Sequence, residues 1–337
     1  MSAARRTVLS LVAVVVVAAI TYSAYWRYAA GKLREQLAPW AEARAAEGYL
    51  VRWDKARISG FPGAFRIDFA NLNVGTLRPL PVAISAGAAS AWAMPWNFRH
   101  WEFTAPQGAR LLDPTGTSGF AAHHLDGVLD VEGRTATQLD ITALDVAGIG
   151  LAQGIAVGDA EAHIELPATP PQSHSDMALG LSLQVDHATL PTVPGFGDSL
   201  SGFTLAAQFK GALPPGPFVQ ALSRWRDNGG TVDLQSLRLR WGALLLDASG
   251  TLALDGALQP EGAFSAIITG QDAAVDVAVM TGTLKPDAAG AVKTLLGLLS
   301  QPNAEGQNAV TLPMTIENQR LYLGPAKIAD IPPIRWH

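Results

Sequence analysis

No cysteine occurs anywhere in this chain. Disulfides are therefore excluded, and an exported body would have to rely on its own packed core. A cytoplasmic protein lacks disulfides as well, so this absence leaves the compartment open. Loops that cradle phosphate, of the Walker or dinucleotide-binding type, are also missing. So is any cluster of histidines and carboxylates at ligand-like spacing. A basic surplus is missing from most of the chain: residues 1–57 hold nine Lys or Arg against four Asp or Glu, whereas the remainder holds 15 against 25. The acidic body argues against a nucleic-acid surface, which needs a basic stripe. The basic start suits an anionic membrane surface. At roughly 300 residues beyond that start, the chain is long enough to bury one large core or two.

Long apolar runs are scarce, with one exception. Thr7 to Tyr25 reads TVLSLVAVVVVAAITYSAY, close to the roughly 20 apolar residues that a membrane-spanning helix needs. Arg5 and Arg6 stand directly before it. Short basic N-termini stay in the cytoplasm, so the rest of the chain is expected on the other side. A cleaved secretory signal is the rival reading. Cleavage needs small residues at the exit, and the exit here is aromatic, Tyr22-Ser23-Ala24-Tyr25-Trp26-Arg27-Tyr28. Such aromatics sit at membrane–water interfaces, which favours an uncleaved anchor. Arg27, Lys32 and Arg34 on the exit side reduce the charge asymmetry.

Ala29 to Glu47 has helical spacing, with Leu33, Leu37, Trp40 and Ala41 on one stripe. Pro39 is expected to kink or restart it. The segment reads as a stalk from bilayer to body, or else as a helix packed on the body's first strands. Beyond Gly48 the period changes to two. Phe65, Ile67, Phe69, Leu72 and Val74 alternate with polar residues, with a break at Ala70 that suggests a bulge. Gly60-Phe61-Pro62-Gly63 has turn chemistry, so 50–75 reads as a hairpin. Similar strands are expected at 80–92, 99–112, 119–132, 136–147, 152–166, 177–190, 201–212, 231–241, 243–255, 261–270, 308–316 and 320–328. A faint repeat runs through them: Ile67-Asp68 leads to Leu72-x-Val74, Ile141-Thr142 to Leu144-x-Val146, and Val232-Asp233 to Leu237-x-Leu239. Helices are expected at 218–228, at 272–280 with Asp272 as N-cap, and at 287–300. The pattern predicts a mainly β, β-rich α+β fold: an extended antiparallel, curved sheet with a few covering helices in the second half. The expected organisation is a cytoplasmic tail and anchor (1–27), a stalk helix (28–47), a first β unit (48–168), a proline-rich linker (169–176) and a second β unit with helices (177–337).

Three groups of residues invite a chemical reading. Gly197-Asp198-Ser199-Leu200 resembles the nucleophile block of GDSL lipases and esterases. That family needs a histidine three residues after an aspartate near the C-terminus, and no histidine here has that spacing. A serine without a base is a poor nucleophile, so a turn in a proline-flanked loop is the plainer reading. His123-His124 is the sole adjacent histidine pair, and in a regular strand its members face opposite ways. Trp92, Trp96 and Trp101 fall close together, and Trp225 and Trp241 flank Gly229-Gly230. These indoles read as core, although a ligand groove or a bilayer contact has the same composition. No catalytic, cofactor-binding or metal-ligating residue is assigned, and no cofactor is expected.

Several passages together carry a resemblance. They are Arg-x-x-Gly-Tyr-x-Val-x-Trp at 44–53 with Gly60-Phe61-Pro62, then Trp225-Arg226-x-x-Gly229-Gly230 and Trp241-Gly242. Further on come Gly250-Thr251-Leu252-x-Leu254-Asp255-x-x-Leu258-Gln259-Pro260-x-Gly262, then Leu321-Tyr322-Leu323-Gly324-Pro325 and Ile331-Pro332-Pro333. This set resembles the bacterial domain of unknown function 2125 family, over essentially the whole chain past the anchor. The resemblance implies a membrane-anchored envelope protein of uncharacterised role, with no catalytic residues to transfer. A looser likeness is to AsmA-type envelope proteins, which share an anchor and serial amphipathic strands. The resulting expectation is a single-pass bacterial inner-membrane protein, non-enzymatic, with a periplasmic body that binds or guides lipid or another apolar ligand. The alternative is an envelope scaffold that binds other envelope proteins through loops or a strand edge.

Overall fold

A computed structural model of the chain describes residues 3–46, 48–76, 82–113, 116–133, 135–193, 196–214, 216–280, 284–302, 306–324, 326–334 and 336. Glu47, Leu80, Pro81, Pro194 and Pro325, which figure in the expectations above, lie outside the described residues.

The chain opens with one helix, α1 (Ala3–Ala46), which is long and apolar enough over its first half to cross a membrane. The helix runs unbroken through Pro39, so the expected restart does not occur. The proline leaves the Glu35 carbonyl without its helical partner, and both residues are exposed, so water can satisfy that group. Nor does the second half of α1 stand off as a stalk. Trp26 and Ala30 are buried against Ile58, Phe65 and Ile67, with Leu33 and Leu37 packed alongside. The indole of Trp26 stacks on the ring of Phe65 at 5.1 Å between centroids. Gly48, at φ +95°, then turns the chain into the sheet.

The sheet is antiparallel throughout its described pairings and follows chain order. Its first strands are β1 (Tyr49–Arg52), β2 (Lys55–Ser59), β3 (Phe65–Thr76) and β4 (Val82–Met94). The expected 50–75 hairpin has a split outer arm, since β1 and β2 pair with successive parts of β3. Next come β5 (Asn97–Ala105) and β6 (Ala109–Leu112), which divide the expected 99–112 strand at a turn through Gly108. Then follow β7 (Gly119–Glu132), β8 (Thr135–Ile149) and β9 (Ala156–Glu165). β10 (Met177–Val185) and β11 (Ala188–Val193) divide the expected 177–190 strand, and both lie between β9 and β12 (Gly197–Lys210). β9 pairs directly with β10, so the sheet is continuous across the proline-rich 169–176 stretch.

The second half adds α2 (Phe218–Asp227), β13 (Thr231–Trp241), β14 (Leu244–Leu254) and β15 (Pro260–Thr269). After them come α3 (Gln271–Met280), α4 (Pro286–Leu299), β16 (Gln301–Pro302), β17 (Asn308–Glu317), β18 (Arg320–Leu323) and β19 (Ala326–Asp330). Asp272 lies inside the first turn of α3 and does not cap it. On the apolar face of α2, Ala221, Leu222 and Trp225 are buried, the last two packing with Leu258, Val232 and Leu254. The C-terminal segment is pinned to the same spot, where Trp336 Nε1 donates to Leu258 O at 2.7 Å.

Three irregularities decide which side chains share a face. Asn71 and Asp145 adopt left-handed backbone, at φ 51° and 50°, without shifting the register of their strands. The break foreseen at Ala70 is thus a reversal of the pleat at Asn71, with no inserted residue: Ala70 still pairs with Ala88 and Leu72 with Ala86. In β13 an ordinary bulge between Leu234 and Leu237 has a similar effect. The faint sequence repeat marks these same three places.

Candidate functional site

Cross-strand pairing assembles one continuous apolar row. Ile58 pairs with Ile67, Ile67 with Ala91, Ala91 with Phe103, and Phe103 with Gly127. The row goes on through Ile141, Ala162, Leu183, Leu205 and Leu237, and then Ala248, Ala266 and Leu312. A second row runs parallel through Trp101, Leu129, Leu139, Ile164, Leu181, Ala207 and Leu234. A third passes through Ala105, Leu125, Ala143, Ala160, Val185, Phe203, Leu239, Leu246, Ile268 and Val310. Successive side chains on a strand point to opposite faces, so the three rows share one face of the sheet. Gly127 belongs to the row because the Phe103 ring occupies the space above it: a Cβ there would lie 2.2 Å from Phe103 Cζ.

This face is covered at its two ends. At the first strands α1 buries Ile58 and Ile67. At the last, α3 and α4 reach β14 and β17, where Ala266 and Val310 are buried. Between these ends, Phe103, Ile141, Leu183, Leu205 and Leu237 stay half-buried. From β5 to β13 that stretch is roughly 30 Å long, at ~4.8 Å per strand. A phospholipid's acyl chains span about half of the ~30 Å hydrocarbon core, so the stretch has room for them. Helix α4 adds little cover, since Leu295, Leu298 and Leu299 are themselves exposed.

The opposite face is wet. Its central row is Asp68, Ser90, Thr104, Asp126, Thr142, Glu161, Gln184, Thr204, Arg238 and Asp247. Several of its charges are paired, Arg238 with Asp247 and Asp126 with His124 among them. Arg66 Nε donates to Asp68 at 2.7 Å, and the hydroxyls of Ser90 and Ser59 donate to the same carboxylate at 2.7 and 3.1 Å. Partial burial pushes the Asp68 carboxyl up, but those hydrogen bonds and the Arg66 charge outweigh it and leave the group below its ordinary value. Asp140 behaves alike, with burial overcome by hydrogen bonds from His163 and Gln138. His100 is bonded to Asp130 at 2.7 Å and His163 to Asp140 at 2.5 Å. Sequence reading missed these pairs because their members are 30 and 23 residues apart.

The residues singled out from sequence do not converge. Gly197 to Leu200 open strand β12 and are not a loop, with Leu200 buried and Ser199 exposed opposite Thr189. Among the described residues no histidine or carboxylate bonds the Ser199 hydroxyl. The expectation that His123 and His124 face opposite ways fails. Ala122 pairs with Ala109, which packs in one apolar cluster with Ala105 and Leu125. Both neighbours of the histidine pair therefore lie on the apolar side, and the pleat reversal opposite Asp145 puts His123 and His124 together on the wet side. His124 bonds Asp126 at 2.9 Å, whereas His123 lines a shallow polar hollow with Asn73, Arg110 and Asp145. No group of three or more metal-ligating side chains forms among the described residues. Of the tryptophans, Trp225 is core, its Nε1 donating to Lys210 O at 2.8 Å. Trp101 is half-buried beside the α1 seat, and Trp96 is 76 % exposed.

The model of a family described as an uncharacterized protein conserved in bacteria (DUF2125) matches residues 26–332. No curated protein and no solved structure matches the chain.

Proposed function

The chain belongs to the DUF2125 family of bacterial proteins, and from that footing we propose that it is a membrane-anchored, non-catalytic protein whose sheet holds or guides lipid acyl chains. One observation supports this reading above the others: three parallel apolar rows share a face on which, among the described residues, Phe103, Ile141, Leu183, Leu205 and Leu237 stay half-buried. Burying apolar surface is favoured by about 25 cal/mol per Å², so a half-wet stretch of this length gains from a ligand with matching chains. The basic tail at Arg5 and Arg6 supports an orientation with the body outside the cytoplasm, in the periplasm of the cell envelope. Phospholipid from the bilayer that holds α1 is then the nearest source of apolar ligand. The sheet's outer strands, β1 with β2 at one end and β19 at the other, keep an alternative in view: an envelope scaffold that recruits partner proteins by strand addition.

The test uses the register as its own control. A photoreactive phenylalanine analogue is placed at Leu183 or Leu205, and in parallel at Gln184 or Thr204, in the full chain in native membranes. Lipid adducts at the first pair and not at the second, read by mass spectrometry, are the expected result. Equal labelling of both faces, or none at either, would sink the lipid reading and leave the scaffold.

A further inference from the structure

Two turns of the body meet α1 where its apolar run ends. The turn between β2 and β3 carries Phe61 and Pro62; the one between β4 and β5 carries Pro95 and Trp96, with Met94 beside it. The Tyr22 hydroxyl donates to Pro62 O, and that of Tyr25 to Pro95 O at 3.2 Å. Trp26 continues the seam, its ring 5.5 Å from that of Phe61. Both turns are thus fastened to the helix at the level of its aromatic exit.

The fold leaves much of the apolar surface of these turns in the open, beyond the edge of Phe61 that meets Trp26 and the face of Phe98 that stacks on Phe65. Phe61 is 51 % exposed and Trp96 76 % exposed, and Met94 and Phe98 are exposed as well. Neither turn contains a carboxylate, and the adjoining charges, Arg27 and Arg99, are basic. Tryptophan, tyrosine and arginine in this combination are the composition of the membrane–water interface. A rigid helix carries the bilayer's edge to this height, because the apolar run of α1 ends in the same turn that grips both loops.

We propose that the turns at 60–63 and 95–96 sit in the headgroup region of the bilayer beside α1, so that the body is seated on the membrane by a second, aromatic contact. The occupant of this surface is the phospholipid bilayer itself. The inference rests on α1 spanning that bilayer, and it does not require the sheet to hold lipid.

The absence of cysteine makes the test direct. Gly63→Cys, Asn97→Cys and, as a control between β8 and β9 at the opposite end of the strands, Leu151→Cys are made in the full chain. Leu151 is 96 % exposed. Each is labelled with an environment-sensitive fluorophore and reconstituted into vesicles of phosphatidylethanolamine and phosphatidylglycerol. A lipid spin-labelled near its headgroup should quench positions 63 and 97 at least about twofold more than position 151, as a seat ~5–10 Å deep at the headgroup boundary requires. Adding Phe61→Ser with Trp96→Ser to Gly63→Cys should bring quenching down to the control level, with the circular dichroism unchanged. Equal quenching at all three positions overturns the proposal. Undiminished quenching after the double substitution also overturns it, since proximity to α1 alone would then explain the signal.

Discussion

Asp68 shows how a single residue on the wet face contributes to the fold. Its carboxylate collects the Arg66 guanidinium and the hydroxyls of Ser90 and Ser59, and these hold it below the ordinary carboxylate range despite partial burial. A carboxyl whose folded value is depressed gives its full stabilisation above its unfolded value of about 3.9 and loses it as the pH falls through the folded value. Asp68→Asn should therefore cost about 1 kcal/mol or less at pH 7, the scale of a partly exposed ion pair. Its stability should also fall less steeply than the parent's below pH 4, in denaturant melts of the full chain in detergent. A variant as acid-sensitive as the parent would remove Asp68 from the account. Asn71 and Asp145 act at this scale through backbone instead. Left-handed φ is tolerated by Asn and Asp better than by other side chains apart from glycine, and each reverses the pleat within its strand. That Leu72 follows Phe69 on the apolar pattern was legible from the sequence. That the cause is one inverted backbone, with the register intact, was not.

Among the elements, α1 joins the bilayer to the sheet. Its first half is apolar all round, and its second half supplies Trp26 and Ala30 to the largest aromatic cluster, where Phe65 is wholly buried between Trp26 and Phe98. A fragment that begins at residue 45, in the last turn of the helix, would uncover Ile58, Phe65 and Ile67. Losing a buried tryptophan alone costs about 3–5 kcal/mol. A fragment of residues 22–337 should accordingly be monodisperse and melt well above one of residues 45–337, which should aggregate. Size-exclusion chromatography and thermal melts decide the matter, and equal behaviour of the two fragments would show that α1 is dispensable to the body. The helical stripe of Leu33 and Leu37 was readable from spacing. Its partner was not, because a stripe says what it hides and never against what.

At the scale of the whole molecule, the sheet couples neighbours and little else. Among the described residues each strand pairs with strands one or two places away in chain order, and the buried clusters are small and separate. Stability in such an array approximates a sum of local terms with nearest-neighbour contacts, as in repeat proteins. A local lesion should stay local. Gly127→Val forces a side chain into Phe103 and towards Asp140 O, 2.5 Å from the added Cβ, and overpacking of this kind costs about 1–3 kcal/mol. Hydrogen exchange should accelerate in β5, β7 and β8 while β14, β15 and β17 keep the parent's rates. A uniform rise across the sheet would instead reveal a single cooperative core.

The sequence alone determined the membrane-length helix, the prevalence of half-covered antiparallel strands and most of their order, because helix period, strand period and turn chemistry are local properties written in consecutive residues. It also exposed the apolar face of α2, since Ala221, Leu222 and Trp225 share a helical stripe. Only the tertiary structure decided that Leu183, Leu205 and Leu237 stand in one row, that His123 and His124 share a face, that Ser199 lies in a strand, and that the turns carrying Phe61 and Trp96 are both bonded to α1. These depend on register and on backbone reversals, where a shift of one residue exchanges the dry face for the wet one.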